Sequence, residues 1–334
     1  MKQAILDFPK QFKIGLDVAK KVFPIKKQRF SNLVICGVGG SALPGDILLD
    51  AMPDFPLYTY IYRDYGLPPQ ANKQSLIIAI SYSGNTEETI SAYETAIAKN
   101  YSVIAMTTGG QLQQMAQSRK MPLVLIPQTG IQPRCATGYL FAAILQILCN
   151  AGIIKDHSNK LLQMAKNLSP KTLEIQGQEL AKKLFNQIPI VYSSNSFKSL
   201  ARIWKIKFNE NSKVLAFWNF FPELNHNEMV GYTIQKSKIK NQNENSKCKN
   251  FHAVILQDKN DNPRILKRMM LTANLMEESG AKIEFVEIKG KDTLEKIFNN
   301  LLLGDWASYY LALAYKIDPE PVKIVEEFKK RLTE

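Results

Sequence analysis

Ser75-Leu-Ile-Ile-Ala-Ile-Ser-Tyr-Ser-Gly-Asn-Thr-Glu-Glu-Thr89 is the stretch of sequence that decides the fold. Its first six residues form a short apolar run typical of a buried parallel strand, and residues 87–99 carry a helical pattern. The turn between them holds three hydroxyl groups and a glycine. Unpaired backbone N–H groups at a helix start favour a bound anion, so this turn is a candidate phosphate site. An ordinary helix cap at Asn85 or Thr86 is the alternative, but a cap needs one hydroxyl rather than three.

The same alternation of short apolar strands and helices runs along the whole chain, and it predicts an α/β fold with parallel sheets flanked by helices. A helical connector near residues 151–187 separates two similar halves. We therefore expect two domains, residues 1–152 and 153–334. The predicted strands are 32–36, 57–62, 75–80, 102–106 and 123–126 in the first half, and 188–192, 213–216, 251–257 and 282–286 in the second.

The overall composition is that of a globular protein with two domains. The chain has 334 residues, of which 45% are hydrophobic and 22% charged. No apolar run approaches the roughly 20 residues of a membrane span, and the N-terminal residues lack the pattern of a signal peptide. We expect a cytoplasmic protein without a membrane partner. The four cysteines have no paired spacing, which argues against disulfides and a zinc site.

The formal net charge of +13 raises the question of nucleic-acid binding. The lysines are dispersed, however, and the one strongly basic block, residues 236–249, contains no aromatic residues for base stacking. This block resembles a solvated loop. We therefore expect no nucleic-acid partner.

A second glycine-rich turn, Gly37-Val-Gly-Gly-Ser-Ala42, follows the first strand and fits a variant of the dinucleotide-binding fingerprint. A nicotinamide enzyme would use an acidic residue at the end of the second strand, where Asp64 is available but follows Arg63. That interpretation leaves the hydroxyl-rich turn at residues 81–86 unexplained. Parallel strands end side by side, so both turns can instead face one phosphate. The predicted phosphate-binding residues are Gly39, Gly40, Ser41, Ser81, Ser83 and Thr86.

Motifs in both halves resemble the sugar isomerase (SIS) domain superfamily and, within it, the bifunctional phosphoglucose/phosphomannose isomerases. Besides the two turns, they are Pro133-Arg-Cys-Ala-Thr-Gly-Tyr-Leu-Phe141, Arg202-Ile-Trp-Lys-Ile-Lys-Phe-Asn-Glu-Asn-Ser-Lys213, Pro222-Glu-Leu-Asn-His-Asn-Glu228 and Asp318-Pro-Glu-Pro-Val322. The resemblance implies two tandem SIS domains, each a flavodoxin-like three-layer sandwich. It also implies cofactor-free and metal-free interconversion of glucose 6-phosphate and fructose 6-phosphate, extended to mannose 6-phosphate, in a homodimer with its active site at the subunit interface.

The resemblance also suggests catalytic residues whose chemistry suits an enediol intermediate. Glu210 would carry the proton between C2 and C1, and Arg134 would stabilise the enediolate oxygen. His226 would open the sugar ring, and in this family the neighbouring subunit can supply it. Lys329 is the expected C-terminal lysine, with Lys330 as a competitor. Without the resemblance, Glu210 would be read as a glutamate on the surface of a helix, and Arg134 as a partner in a salt bridge. The two lysines would be read as positive charges that complement the dipole at a helix end.

Three features depart from the family pattern: Cys135 replaces a small residue, residues 236–249 resemble an insertion, and Tyr192-Ser-Ser-Asn195 lacks a glycine. The last makes a second phosphate site unexpected. None of them affects the predicted base, histidine or arginine. A non-catalytic phosphosugar-binding or regulatory SIS protein is the alternative function.

Overall fold

Five parallel strands form the sheet of the N-terminal half in a computed structural model that describes residues 1–26, 28–233 and 248–333. They lie in the order β2-β1-β3-β4-β5. The strands β1, β3 and β4 are buried along their whole length, because helices cover a parallel sheet on both faces. The strand bounds are β1 (Asn32–Cys36), β2 (Tyr58–Tyr62), β3 (Ser75–Ile80), β4 (Ser102–Thr107) and β5 (Leu123–Leu125).

Seven α-helices accompany this sheet in the described part of the N-terminal half. They are α1 (Lys2–Leu6), α2 (Lys10–Ala19), α3 (Leu43–Ala51), α4 (Glu87–Ala98), α5 (Gly110–Ser118), α6 (Thr137–Asn150) and α7 (Ser158–Asn167). Helix α6 packs against α2 and α3 and is buried over most of its length. Its apolar sequence therefore belongs to the core of this half.

The described residues of the C-terminal half form four parallel strands in the order β7-β6-β8-β9, which repeats the order of the first four strands. The predicted duplicated α/β architecture is thus confirmed. The strands are β6 (Ile188–Ser194), β7 (Phe217–Phe221), β8 (Phe251–Gln257) and β9 (Lys282–Glu287). The helices are α8 (Pro170–Leu184), α9 (Lys198–Glu210), α10 (Pro263–Glu278), α11 (Thr293–Ala314) and α12 (Lys323–Thr333).

The chain divides into two compact units, which we call the N-terminal unit, Gln3–Leu168, and the C-terminal unit, Ser169–Glu334 with Met1–Lys2. The boundary falls after Leu168, whereas the sequence suggested residue 152. Helix α7 packs against α2, so it belongs to the N-terminal unit rather than to the start of the next domain.

One predicted strand, residues 213–216, is wrong. The end of α9 continues as a turn, because Ser212 N donates to Phe208 O at 3.1 Å and Val214 N donates to the same carbonyl at 3.3 Å. The strand β7 begins only at Phe217.

The predicted loop at residues 236–249 falls largely outside the described residues. Within residues 1–26, 28–233 and 248–333, no helix is long and apolar enough to span a bilayer.

Candidate active site

Three loops of the N-terminal unit are joined by hydrogen bonds at the carboxyl edge of its sheet. Ser41 Oγ, after β1, accepts a hydrogen bond from Tyr82 N, after β3, at 3.1 Å. Thr108, after β4, donates to Tyr82 O through both its backbone nitrogen at 3.1 Å and its hydroxyl at 2.7 Å. The two predicted phosphate turns are therefore parts of one connected edge, as expected for neighbouring parallel strands.

Ser81 shapes the turn after β3 from within. Its side chain is fully buried, and its hydroxyl donates to Thr86 Oγ1 at 2.8 Å. The same oxygen accepts from Gly84 N at 3.0 Å and Thr86 N at 3.3 Å. One donor and two acceptor positions are all that a serine hydroxyl offers. In this conformation Ser81 supports the loop, which differs from the expectation that its hydroxyl grips a phosphate directly.

Ser83 and Thr86 are better placed to donate to an anion. Ser83 is exposed, and its oxygen accepts only from Asn85 N among the described residues, at 3.3 Å. Thr86 precedes α4 with an extended backbone, and its hydroxyl accepts from Ser81. Both hydroxyls keep a proton to donate. The first backbone N–H groups of α4 are further donors, because they have no partner within the helix.

Gly84 is required where this turn meets the next loop. Its φ is +78°, and a Cβ at this position would lie 1.8 Å from Gly109 O. Asn85 strengthens the contact, since its Oδ1 accepts from Gln111 N at 2.9 Å. Only a glycine allows the phosphate turn to pack this closely on the loop after β4.

The glycine-rich turn after β1 packs against the turn that carries Arg134. Residues Gly39–Ser41 form one 3-10 turn and Pro133–Cys135 another. A Cβ on Gly40 would lie 2.6 Å from Arg134 N. Arg134 is 1% exposed, so its position is determined by the packing around it. This places the predicted cation beside the turn that holds Gly39, Gly40 and Ser41.

Gln11 secures the Arg134 turn from α2. Its Nε2 donates to Cys135 O at 2.8 Å, and its Oε1 accepts from Gly138 N at 3.1 Å and Tyr139 N at 3.3 Å. Gln11 is buried and satisfies free N–H groups at the start of α6. It therefore fixes the turn and the helix that follows it with one side chain.

In the C-terminal unit, Glu210 is the last residue of α9 and is half-buried. Lys213 reaches back to it, because its Nζ donates to Glu210 O at 2.6 Å and to Pro319 O at 3.2 Å. Lys213 thereby links the end of α9 to the segment that leads into α12. This segment and Glu210 lie at the amino end of β7.

His226 lies at the other edge of the same sheet. It ends the 3-10 turn Glu223–His226, which follows the carboxyl end of β7, and it is exposed. Because α9 runs back across the sheet before β7 begins, Glu210 and His226 are separated by the length of that five-residue strand. At about 3.3 Å per residue this is roughly 15 Å. One copy of the chain does not bring these two side chains together.

Lys329 and Lys330 both lie on α12, and both are exposed. The same helix exposes Ile324, Phe328 and Leu332. The geometry does not distinguish the two lysines, so the choice of Lys329 stays a prediction.

Within the part of the chain that the structure describes, no three His, Cys, Asp or Glu side chains are grouped to hold a metal ion.

Similarity to known proteins extends over both units. Residues 174–332 match the family described as bacterial phospho-glucose isomerase C-terminal SIS domain. The bifunctional phosphoglucose/phosphomannose isomerase of Caldicellulosiruptor bescii is 34% identical, over 100% of this chain and 99% of its own. The chain belongs to the bifunctional phosphoglucose/phosphomannose isomerase family.

A second relative agrees with this assignment, and a more distant solved structure shares the fold. The bifunctional phosphoglucose/phosphomannose isomerase of Aquifex aeolicus is 31% identical over 95% of this chain and 93% of its own. The solved C-terminal domain of glucosamine-fructose-6-phosphate aminotransferase from Francisella tularensis superposes with a TM-score of 0.71 at 14% identity. That match covers 96% of this chain and 98% of the solved one. At this identity the structural likeness establishes the fold alone.

In this family member, several supporting residues were not predicted from the sequence. Gln11 lies far along the chain from the Arg134 turn that it holds, so no local pattern reveals it. The buried ion pair of Lys207 and Asp305, 2.5 Å apart, joins α9 to α11 one turn before Glu210. Glu228, two residues after His226, accepts hydrogen bonds from two strands. The motif containing Glu228 is evident in the sequence, but its partners Tyr192 and Asn219 come together only in the folded chain.

Proposed function

We propose that this protein interconverts glucose 6-phosphate and fructose 6-phosphate, and mannose 6-phosphate and fructose 6-phosphate, by metal-independent proton transfer through a cis-enediolate. The observation that carries the proposal is full-length similarity to bifunctional phosphoglucose/phosphomannose isomerases, at 34% identity in one case. The residues that such chemistry needs are present in this chain.

The sugar phosphate would be held by the loops at the carboxyl edge of the first sheet. Ser83 and Thr86 offer hydroxyl protons, and the start of α4 adds backbone N–H groups. Gly39 and Gly40 let the backbone of the first turn approach the ligand, because neither has a Cβ. Ser41 and Ser81 hold the turns in register.

The reaction needs a base and a fixed positive charge. Glu210 is the proposed base: it removes the proton at C2 and returns it at C1, which converts the aldose to the ketose. Arg134 is proposed to stabilise the negative charge that forms on the enediolate oxygen. Its burial supports this role, because a preorganised charge away from water stabilises a transition state more strongly than a mobile one.

The separation of Glu210 and His226 supports a dimeric active site. Both residues are proposed to act on one sugar, His226 on the ring oxygen and Glu210 on C2. Within one chain they occupy opposite edges of the second sheet. We therefore infer that His226 of a second copy completes each site, with Lys329 assisting at the ring oxygen. A homodimer follows from this arrangement.

The proposal is tested by incubating the purified protein, treated with EDTA, with each of the three hexose 6-phosphates in heavy water. Conversion is followed by a coupled assay, and deuterium at C1 and C2 by NMR. We expect interconversion of all three sugars, with solvent deuterium at the exchanged carbon, because an enediolate returns a proton from the base.

Two results would contradict the proposal. Tight binding of the sugar phosphates without conversion or deuterium uptake would identify a phosphosugar-binding regulatory protein instead. Activity that disappears with EDTA and returns with a divalent cation would show that proton transfer depends on a metal. Conversion of glucose 6-phosphate but not mannose 6-phosphate would restrict the proposal to one epimer.

A further inference from the structure

Glu228 is bound by two neighbouring strands. Its Oε1 accepts a hydrogen bond from Tyr192 Oη on β6 at 2.5 Å, and its Oε2 accepts from Asn219 Nδ2 on β7 at 2.6 Å. Tyr192 and Asn219 are direct partners in the parallel register of β6 and β7. One carboxylate therefore bridges a pair of adjacent strands, with a donor for each oxygen.

The donors of this cluster form a chain. Tyr192 is fully buried, and burial together with Tyr232 and Glu228 raises its pKa above the ordinary value, so its hydroxyl keeps its proton. That proton is donated to Glu228. The hydroxyl of Tyr232, 3.1 Å from the Tyr192 oxygen, must then donate to Tyr192. Such connected hydrogen bonds reinforce one another at a buried site.

The segment before Glu228 is anchored separately. Asn225 Nδ2 donates to Thr272 Oγ1 on α10 at 2.7 Å, and Asn225 Oδ1 accepts from Arg268 Nη1 at 3.2 Å. Asn227 links the two parts of the loop, since its Oδ1 accepts from Glu228 N and its Nδ2 donates to Glu223 Oε1 at 2.8 Å. Of the two neighbours of His226, Asn225 is thus held by α10 and Asn227 by other residues of the loop.

His226 stands between these anchors. It is exposed, and its ring makes no hydrogen bond to any residue that the structure describes. A histidine that is proposed to exchange a proton with a ring oxygen must be accessible yet held at a defined place, because small displacements of a catalytic group are costly. The hydrogen bonds around His226 hold the turn at a defined place and leave the imidazole ring accessible.

We propose that Glu228 is a positioning residue for ring opening, holding the His226 turn against β6 and β7 through Tyr192 and Asn219. This inference rests on the proposed isomerase function and specifies how one of its catalytic residues is placed. In this role Glu228 acts through the turn rather than on the sugar. Its loss is expected to impair the step that depends on His226 and to spare the proton transfer by Glu210.

The experiment compares a cyclic and an acyclic substrate. Glucose 6-phosphate must open its ring before isomerisation, whereas erythrose 4-phosphate cannot form a ring because its C4 oxygen carries the phosphate. For Glu228→Ala we expect kcat with glucose 6-phosphate to fall about tenfold or more with KM nearly unchanged. Deuterium exchange at C2 of erythrose 4-phosphate should stay near the wild-type rate. His226→Ala should show the same selectivity in stronger form.

Two further variants complete the test. The first keeps it decisive if Glu228→Ala unfolds, and the second is a control. Tyr192→Phe removes one donor to the carboxylate and should give the same selective loss with smaller amplitude. Glu278→Ala is the matched control, because Glu278 is an exposed glutamate at the end of α10 and none of the hydrogen bonds that hold the His226 turn involves it. Its ratio of cyclic to acyclic activity should equal that of wild type.

The outcomes separate this inference from the proposed function. Equal losses on both substrates in folded Glu228→Ala and Tyr192→Phe, or no loss on either, would overturn the positioning role while leaving the isomerase intact. A wild-type protein that converts neither substrate would overturn the proposed function itself.

Discussion

Gly40 lies directly against the backbone of Arg134: a Cβ at Gly40 would stand 2.6 Å from Arg134 N and 2.7 Å from Pro133 C. Backbone atoms cannot move aside as a flexible side chain can. The absence of a side chain at Gly40 therefore determines where the predicted catalytic arginine sits.

Gly40→Ala is expected to displace the Arg134 turn. Overpacking of this kind costs about 1–3 kcal/mol of unfolding free energy, and a shifted guanidinium should lower kcat/KM about tenfold or more. Urea unfolding and the coupled isomerase assay measure the two effects. Gly231→Ala is the control, because a Cβ there meets nothing within 4 Å. Wild-type kinetics in Gly40→Ala would contradict the close packing.

Ser81 and Ser83 should respond differently to substitution by alanine. Ser81→Ala removes the acceptor for Gly84 N and Thr86 N and should lower stability by about 1–3 kcal/mol. Ser83→Ala should leave stability unchanged and raise KM for sugar phosphates about tenfold, because it removes a donor to a charged group. Urea unfolding and steady-state kinetics distinguish the pair. A raised KM for Ser81→Ala at unchanged stability would show that Ser81 grips the phosphate directly.

Glu210→Gln tests the proposed base. The amide keeps the size of the side chain but cannot accept the C2 proton, so kcat should fall on the order of 10²–10⁴-fold. Solvent deuterium exchange should fall in parallel while the unfolding midpoint stays constant. Full turnover by Glu210→Gln would exclude Glu210 as the base.

Asp305→Ala should strongly destabilise the C-terminal unit. Lys207 and Asp305 are 0% and 3% exposed, and removing one partner of a buried ion pair costs about 3–5 kcal/mol. Glu179→Ala breaks the exposed pair with Lys182 and should cost no more than about 1 kcal/mol. Equal losses in the two variants, measured by urea unfolding, would show that burial does not set the cost.

His252 should make stability depend on pH. Burial lowers the pKa of its side chain below the ordinary 6.5, so the unfolded chain binds a proton more readily than the folded one. This contribution is present above the unfolded pKa and is lost as the pH falls from about 7 to 5. The unfolding free energy of wild type should therefore fall relative to that of His252→Asn as the pH is lowered through this range. A constant difference across that range would contradict the shift.

The alternation of apolar strands with helices was sufficient to predict the duplicated parallel sheets, because buried strands and amphipathic helices carry distinct local patterns. The prediction of a strand at residues 213–216 failed because the end of α9 continues into a turn there. Competing local interactions decide such boundaries. The domain boundary shifted for a similar reason, since α7 packs on α2.

The sequence by itself determined the fold class, the family and the candidate residues of the phosphate turns, because these depend on local pattern and motif. Only the tertiary structure assigned Ser81 to the support of its turn, placed Gly40 against Arg134 and separated Glu210 from His226 across one sheet. It also revealed Gln11 and the partners of Glu228. These relationships join residues far apart in the chain, so they arise from packing and hydrogen bonding that no local pattern encodes.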